Sequence, residues 1–350
     1  MFKDTIRRVF LHFGPWKFLR WMGKKLYGPG ITILYGHRVL PDELMSNPDD
    51  PRYASGHLSI SDLSNAIESL QPLYRFITID QAIEQIHAKK IEQESVVLSF
   101  DDGFNDNFNY LLPVLKRFNV PAVLYISPSV IGTERSLWFQ AIINYFFSIK
   151  EETVSLAISN TQYDLSSSKK RYEAAFSLMQ YLQKNKSPQA FNDIIEQLAG
   201  EQCLPQEADR HLSWSELEAL TKEPLITIGA HSQNHFPLGY CSEELSFLEI
   251  TQSITQLRER LGISVRHFSY PRGHQSDFCD YHKSLLQKQG IISSVSTLRG
   301  VNRGGEDDYC LKRVGIPQNA SLKPDEFIWQ VAGMPQFIEK FKLPEKRVSP

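Results

Sequence analysis

The chain has 350 residues, of which 41% are hydrophobic and 22% charged, with a formal net charge of -2. That composition buries a sizeable core, and one elaborated α/β domain accounts for the length. With no overall basic field, nucleic acid is not an expected partner, whereas a neutral or mixed-charge substrate is compatible.

The N-terminal residues 1–25 carry Lys3, Arg7, Arg8, Lys17, Arg20, Lys24 and Lys25 against one acid, Asp4, interleaved with Phe2, Phe10, Phe13, Trp16 and Trp21. Their apolar residues are interrupted throughout, so they match neither a secretory signal nor the ~18 apolar residues of a spanning helix. The four cysteines, Cys203, Cys241, Cys279 and Cys310, form no CxxC pair and read as reduced thiols. The expectation is a cytoplasmic protein. Residues 1–30 form a basic amphipathic segment that either packs on the main domain or makes peripheral contact with the inner membrane face through residues 1–25.

Residues 31–35 form a short β-branched run that ends in Gly36-His37-Arg38, a buried strand entering a loop. Ser61 is placed to cap a helix carrying Leu63, Ile67 and Leu70; a strand at 76–79 and a helix from Gln81 follow. Residues 96–100, 122–127 and 225–228 are nearly continuous in apolar residues, as parallel strands buried on both faces are. Residues 265–270 and 291–296 add strands, with a helix at 245–261 before them. The alternation predicts a distorted, TIM-like (β/α) barrel of about seven parallel strands over residues 31–317. A helical insertion interrupts it at about 136–212, and a C-terminal helix and tail occupy 318–350.

Three strand ends carry candidate chemistry. The run ending in Ser99-Phe100 stops at Asp101-Asp102-Gly103. Adjacent carboxylates resist ionising together without a cation or strong hydrogen bonds, so a metal explains them, although the tripeptide also makes ordinary turns. A second run ends at His231-Ser-Gln-Asn-His235, and two imidazoles four residues apart suit zinc and related metals. In a parallel barrel both ends reach the same rim, giving Asp102, His231 and His235 as three ligands with an open position. The third is Arg266-His-Phe-Ser-Tyr270-Pro271-Arg-Gly273, where Arg266 reads as a surface charge or as the partner of an acid beneath the site.

These motifs, in this order, resemble the polysaccharide deacetylase family, the NodB-like carbohydrate esterases. The resemblance implies that Asp101 is the catalytic base and that Asp102, His231 and His235 hold the metal. It further implies that Arg266 orients the base and that backbone at Tyr270, beside Pro271, binds the oxyanion. Tyr35-Gly-His37-Arg38-Val39 is similar to a Tyr-His-Arg-Val segment of bacterial members, and residues 311–316 to one of their late strands. The chain departs from the pattern in lacking a C-terminal Leu-x-His; His37 is then the candidate general acid, or a structural residue. Arg272 stands where an aromatic usually follows the proline. The implied cofactor is a divalent metal, zinc before cobalt or nickel, and the implied reaction is removal of N-acetyl groups from a carbohydrate polymer, oligosaccharide or precursor. A metal-dependent amidase or imidase acting on a non-sugar substrate, and an inactive carbohydrate-binding barrel, remain alternatives.

Overall fold

The computed structural model describes Lys25 and residues 28–47, 50–55, 57–185, 191, 193–194, 209–318 and 324–335. The basic amphipathic segment lies outside the described residues except at Lys25 and residues 28–30, as do the loose tail, Cys203 and part of the insertion. No helix among the described residues is long and apolar enough to cross a membrane.

In chain order the strands are β1 Ile31–Gly36, β2 Val39–Leu40, β3 Leu58–Ser59, β4 Arg75–Phe76, β5 Ser95–Phe100, β6 Ala122–Ile126, β7 Thr153–Leu156, β8 Thr161–Asp164, β9 Ile226–Ala230, β10 His267–Ser269, β11 Ser293–Arg299 and β12 Leu311–Gly315. The longer helices are α1 Ile60–Leu70, α2 Ile79–His87, α3 Leu112–Phe118, α4 Trp138–Ser148, α5 Ser168–Asn185, α6 Trp214–Thr221, α7 Glu243–Leu261, α8 Asp280–Lys288 and α9 Pro324–Val331. Seven parallel strands close a barrel in the order β1-β12-β11-β10-β9-β6-β5, with β5 returning to β1 over the register Ile31↔Ser95 to Gly36↔Phe100. The short β4 pairs with the start of β5.

Alternation along the strands sorts side chains into two cores. Val96, Leu98 and Phe100 face outward into the shell of helices, whereas Val97 joins Ile31, Ile33, Val123, Tyr125, Val295 and Leu311 in an inner cluster. Ile79, Ala82, Ile83 and Ile86 of α2 belong to that inner cluster and close the barrel's N-terminal end. A Cβ at Gly229 would lie 2.5 Å from the Tyr125 ring; glycine there admits this large aromatic to the interior. Capping boxes start α1 (Ser59 with Asp62), α2 (Thr78 with Gln81) and α6 (Ser213 with Glu216). The α1 cap is thus Ser59, two residues before the expected Ser61, because Ile60 already belongs to the helix.

The insertion contains an antiparallel hairpin, β7–β8, beside its helices. It builds a separate apolar cluster around Trp138, Ile142, Phe146, Ala175, Leu178, Leu182 and Phe191.

The loop between β1 and β2 is clamped from inside. Arg38 is fully buried, its Nε donates to Asp106 at 2.8 Å, its Nη1 to Asp209 at 2.5 Å, and its guanidinium lies 4.4 Å from the Phe104 ring. Asp106 also accepts from the Val39 N–H, and Asn107 donates to the His37 carbonyl. Replacing Arg38 with Met leaves two buried carboxylates without their cation. We expect a loss of about 3 to 5 kcal/mol in urea unfolding, and an unchanged midpoint would show that the clamp contributes nothing.

Candidate active site

Barrel parity carries Ser99 and Asp101 inward at the C-terminal mouth. Asp101 is 2% exposed and receives Arg313 through two hydrogen bonds, Nη1 to Oδ1 at 2.9 Å and Nη2 to Oδ2 at 2.8 Å. Ser269 donates to the same carboxylate at 3.3 Å and accepts from Arg313 at 3.1 Å. Burial pushes the Asp101 carboxyl upward, but the Arg313 and His231 charges outweigh it and hold the group below the usual carboxylate range. Asp101 is therefore ionised at neutral pH.

Arg266 does not reach this site. It precedes β10 and so sits at the opposite, N-terminal end of the barrel, where it is half-exposed and pairs with Asp80 in the first turn of α2. His267 bonds the same Asp80 at 3.0 Å. The arginine against Asp101 is Arg313 of β12, which points inward because Leu311 does. The signal in the sequence was a cation at an inward position of a buried strand, Leu-Lys-Arg-Val-Gly.

Asp102, His231 and His235 come together with one ligand atom from each within 4.8 Å of the others. Asp102 Oδ1 lies 3.5 Å from His231 Nε2 and 3.4 Å from His235 Nε2. The residues fit a divalent cation: this Asp102 oxygen is buried without a hydrogen-bond partner among the described residues, and one carboxylate with two imidazoles is a donor set that suits three-ligand sites with an open position. His231 is oriented by its Nδ1 against the Ser269 carbonyl at 2.7 Å, leaving Nε2 to face Asp102. Burial pulls the His235 imidazole down to about 3, so it is neutral as a ligand must be. Burial lowers His231 as well, yet the Asp101 and Asp102 carboxylates raise it above its ordinary value. Asp102, Ser232 and His235 have φ of 79°, 58° and 58°, a left-handed backbone that L residues with side chains rarely adopt and that clusters at functional sites.

His37 lies at the same mouth, half-buried, with its ring centroid 6.5 Å from that of His57. Burial and the nearby Arg38 and His37 keep His57 well below its ordinary value, and therefore neutral. Tyr270 and Pro271 stand apart from the cavity. The Tyr270 N–H, expected as an oxyanion donor, donates to the Val295 carbonyl at 3.2 Å in the β10–β11 ladder. Its ring is buried against Phe278 at 4.0 Å. Pro271 opens the tight turn that follows, its carbonyl accepting from Gly273.

The cavity over these residues measures about 250 Å³, with Asp101, Asp102, His231, His235, His37 and His57 on one side. Further lining comes from the insertion, with Trp138, Phe139 and Ile143 of α4 and Tyr172, Phe176 and Met179 of α5. The Trp138 indole donates to the His235 carbonyl at 3.0 Å, and the Phe139 ring lies 4.8 Å from that of His235.

His211 is 4% exposed, stacks on Phe104 at 4.4 Å and has no hydrogen-bond partner on either ring nitrogen among the described residues. Burial holds its pKa down to about 3. A histidine depressed in the folded state is protonated first in the unfolded chain, so it withdraws stability as pH falls below ~6.5, by up to about 1.4 kcal/mol per pH unit. His211→Phe should flatten that acid dependence by about one proton between pH ~6 and ~4; unfolding curves with an unaltered slope would contradict it.

The family model for polysaccharide deacetylase matches residues 88–290. The Bacillus subtilis protein YxkH, itself named for polysaccharide deacetylase, is 27% identical over 97 residues, 25% of this chain and 35% of its own length. IcaB from Ammonifex degensii superposes with a TM-score of 0.56 at 18% identity, over 87% of this chain and 98% of its own. The Streptococcus pyogenes deacetylase PplD, solved with acetate, does so with a TM-score of 0.55 at 15% identity, over 86% and 98%. Both share the fold of this protein, and the family match extends over more than half of the sequence, from just before β5 to the end of α8. The chain belongs to the polysaccharide deacetylase family.

Proposed function

We propose that this protein hydrolyses the N-acetyl amide of a carbohydrate at the mouth of its barrel, releasing acetate. The observation that carries the reading is the buried, arginine-held carboxylate of Asp101 beside the Asp102, His231 and His235 cluster, in one cavity with His37. In support, the chain belongs to a family named for this activity, and its fold is shared by an acetate-bound deacetylase.

Asp102, His231 and His235 would hold the cation, with zinc the expected ion for this donor set. Such an ion would lower the pKa of water at the site toward ~7 and polarise the acetyl carbonyl. Asp101, kept ionised by Arg313, takes the proton from the attacking water. Its two hydrogen bonds from a planar guanidinium fix the direction of the free lone pairs as well as the charge. Arg313 is therefore a positioning residue, the role that Arg266 cannot fill from the other end of the barrel. His37, half-buried at the cavity, delivers the proton that the departing amine requires. The cation that Asp102, His231 and His235 would hold would supply positive charge for the oxyanion, and the protein donors to it must be cavity groups other than the Tyr270 N–H.

Acetate release from N-acetylated sugars by the metal-loaded enzyme tests the reading. Asp101→Asn should bind metal equally and lose about 10²- to 10⁴-fold in kcat; full activity in this variant would remove Asp101 as base, and a wild type inactive on every acetylated sugar would point to a non-sugar amide. Arg313→Met should move the acid limb of kcat/KM to higher pH. The sign follows from its charge: without it the Asp101 pKa rises, and a base is lost on acidification at its pKa. Arg313→Lys should restore part of that shift, whereas a limb that stays in place would reduce Arg313 to a structural residue. His37→Ala should lower acetate release from an N-acetylated sugar about 10²- to 10⁴-fold while sparing an activated acetate ester, whose leaving group needs no proton; equal losses on both assign the proton to another group.

A further inference from the structure

The turn after β10 fixes an arginine at the cavity that the reaction above does not use. Gly273 N–H donates to the Pro271 carbonyl at 2.7 Å, closing a three-residue turn with Arg272 at its centre and φ at 60°. A left-handed φ is strained for a residue with a side chain and persists where its surroundings enforce it. Here β11 does so: Thr297 N–H donates to the Gly273 carbonyl at 2.9 Å, and the Thr297 hydroxyl donates to the Arg272 carbonyl at 2.7 Å. A Cβ on Gly273 would lie 2.8 Å from the Thr297 nitrogen, so no other residue fits the turn.

Arg272 thereby lines the same cavity as Asp101 and Asp102, between the barrel and α5. Its Nη1 donates to Oε1 of Gln183 on α5, a neutral partner. Its Nε is 3.9 Å from Asp277 Oδ2, beyond hydrogen-bond reach, and that oxygen already accepts from the His274 N–H at 2.9 Å. Arg313, the other arginine of the cavity, is fully engaged with Asp101. Arg272 is thus ion-paired with the buried Asp277 on one side, while its guanidinium makes no hydrogen bond among the described residues beyond the one to Gln183. A tie between barrel and insertion needs only an uncharged side chain opposite Gln183. A strained turn that holds a guanidinium with open donors at the cavity wall suits an anionic ligand, to which those donors can make charge-assisted hydrogen bonds that the distant Asp277 does not take.

We infer that Arg272, with Gln183 and Thr297 beside it, recognises an oxyanion carried on the acetamido sugar, a phosphate or a carboxylate next to the acetyl group that is removed. This rests on the deacetylase reading and narrows its substrate to anionic sugars.

Titration calorimetry tests the site independently of turnover. The probes are N-acetylglucosamine 1-phosphate, N-acetylmuramic acid and the neutral methyl N-acetylglucosaminide. Each is titrated into wild type, Arg272→Met and Arg272→Lys, metal-loaded and EDTA-treated, the latter separating Arg272 from anion binding at the metal. The wild type should bind one of the two anions about 10- to 100-fold tighter than the neutral glycoside, as charge-assisted hydrogen bonds provide; which one it prefers identifies the phosphate or the carboxylate as source. That preference should fall to within about two-fold in Arg272→Met, persist in part in Arg272→Lys, and shrink with added salt in the wild type. Should Arg272→Met fail to fold, as judged by circular dichroism, the lysine variant and the salt dependence decide. Equal binding of all three sugars by wild type, or a preference that survives in Arg272→Met, overturns the inference. Acetate release from the same sugars separates it from the reading beneath. Anion preference without acetate keeps the site and removes the deacetylase, whereas equal kcat/KM on neutral and anionic sugars keeps the deacetylase and removes the site.

Discussion

The ion pair between Asp101 and Arg313 is the constraint around which this barrel mouth is organised. Both groups are removed from water, and desolvating two charges can exceed the gain from their attraction unless geometry and further hydrogen bonds compensate. Here they do: the contact is bidentate, Ser269 joins both partners, and the guanidinium lies 4.7 Å from the Tyr35 ring. The pair links β5 to β12 across β1. A side-chain link between β5 and β12 and the protonation state of the proposed base therefore rest on the same contact.

Around that pair, like charge and strain are tolerated because each has a counterweight. Asp102 stands next to Asp101 in the chain, yet its carboxylate turns toward two imidazoles while Asp101 turns toward the guanidinium. The left-handed backbone at Asp102, Ser232 and His235 lies in the loops past β5 and β9, and the second loop is tied to α7, where Glu249 accepts from the Gln233 N–H through its carbonyl and from Asn234 through its carboxylate. Beneath, Tyr125 fills the interior against Gly229, so the polar cluster rests on a packed floor rather than on a pore. Beside it, Arg38 balances Asp106 and Asp209 and keeps the His37 loop against the segment that follows Asp102.

Much of this was legible in one dimension. Continuous apolar runs marked the barrel strands, because strands covered on both faces need apolar residues at every position. Runs ending abruptly in Asp101-Asp102 and in His231 marked the functional rim. What spacing could not show was which end of a strand a residue occupies. Arg266 precedes its strand and Asp101 follows its own, so a motif that links them by number separates them by the length of the barrel. Parity would have located Arg313, since Leu311 and Arg313 share a face. The Tyr270 N–H is occupied for a related reason, since it extends the ladder to β11. The hairpin β7–β8 has no sequence signature, because its residues are largely exposed and carry little apolar alternation.

The insertion's separate apolar cluster has a consequence for how such a protein diversifies. Its side chains pack mainly among themselves, and Tyr172, Phe176 and Met179 of α5 line the cavity, the first and last of them also resting on that cluster. Substitutions there change the shape offered to a ligand without disturbing the strands that carry the acid, the histidines and the guanidinium. Trp138, Phe139 and Gln183 are exceptions, because they touch the His235 backbone, the His235 ring and Arg272. Recognition and chemistry are thus mounted on two supports joined at a few side chains, and a lineage can drift in what it binds while the reacting groups stay where they are.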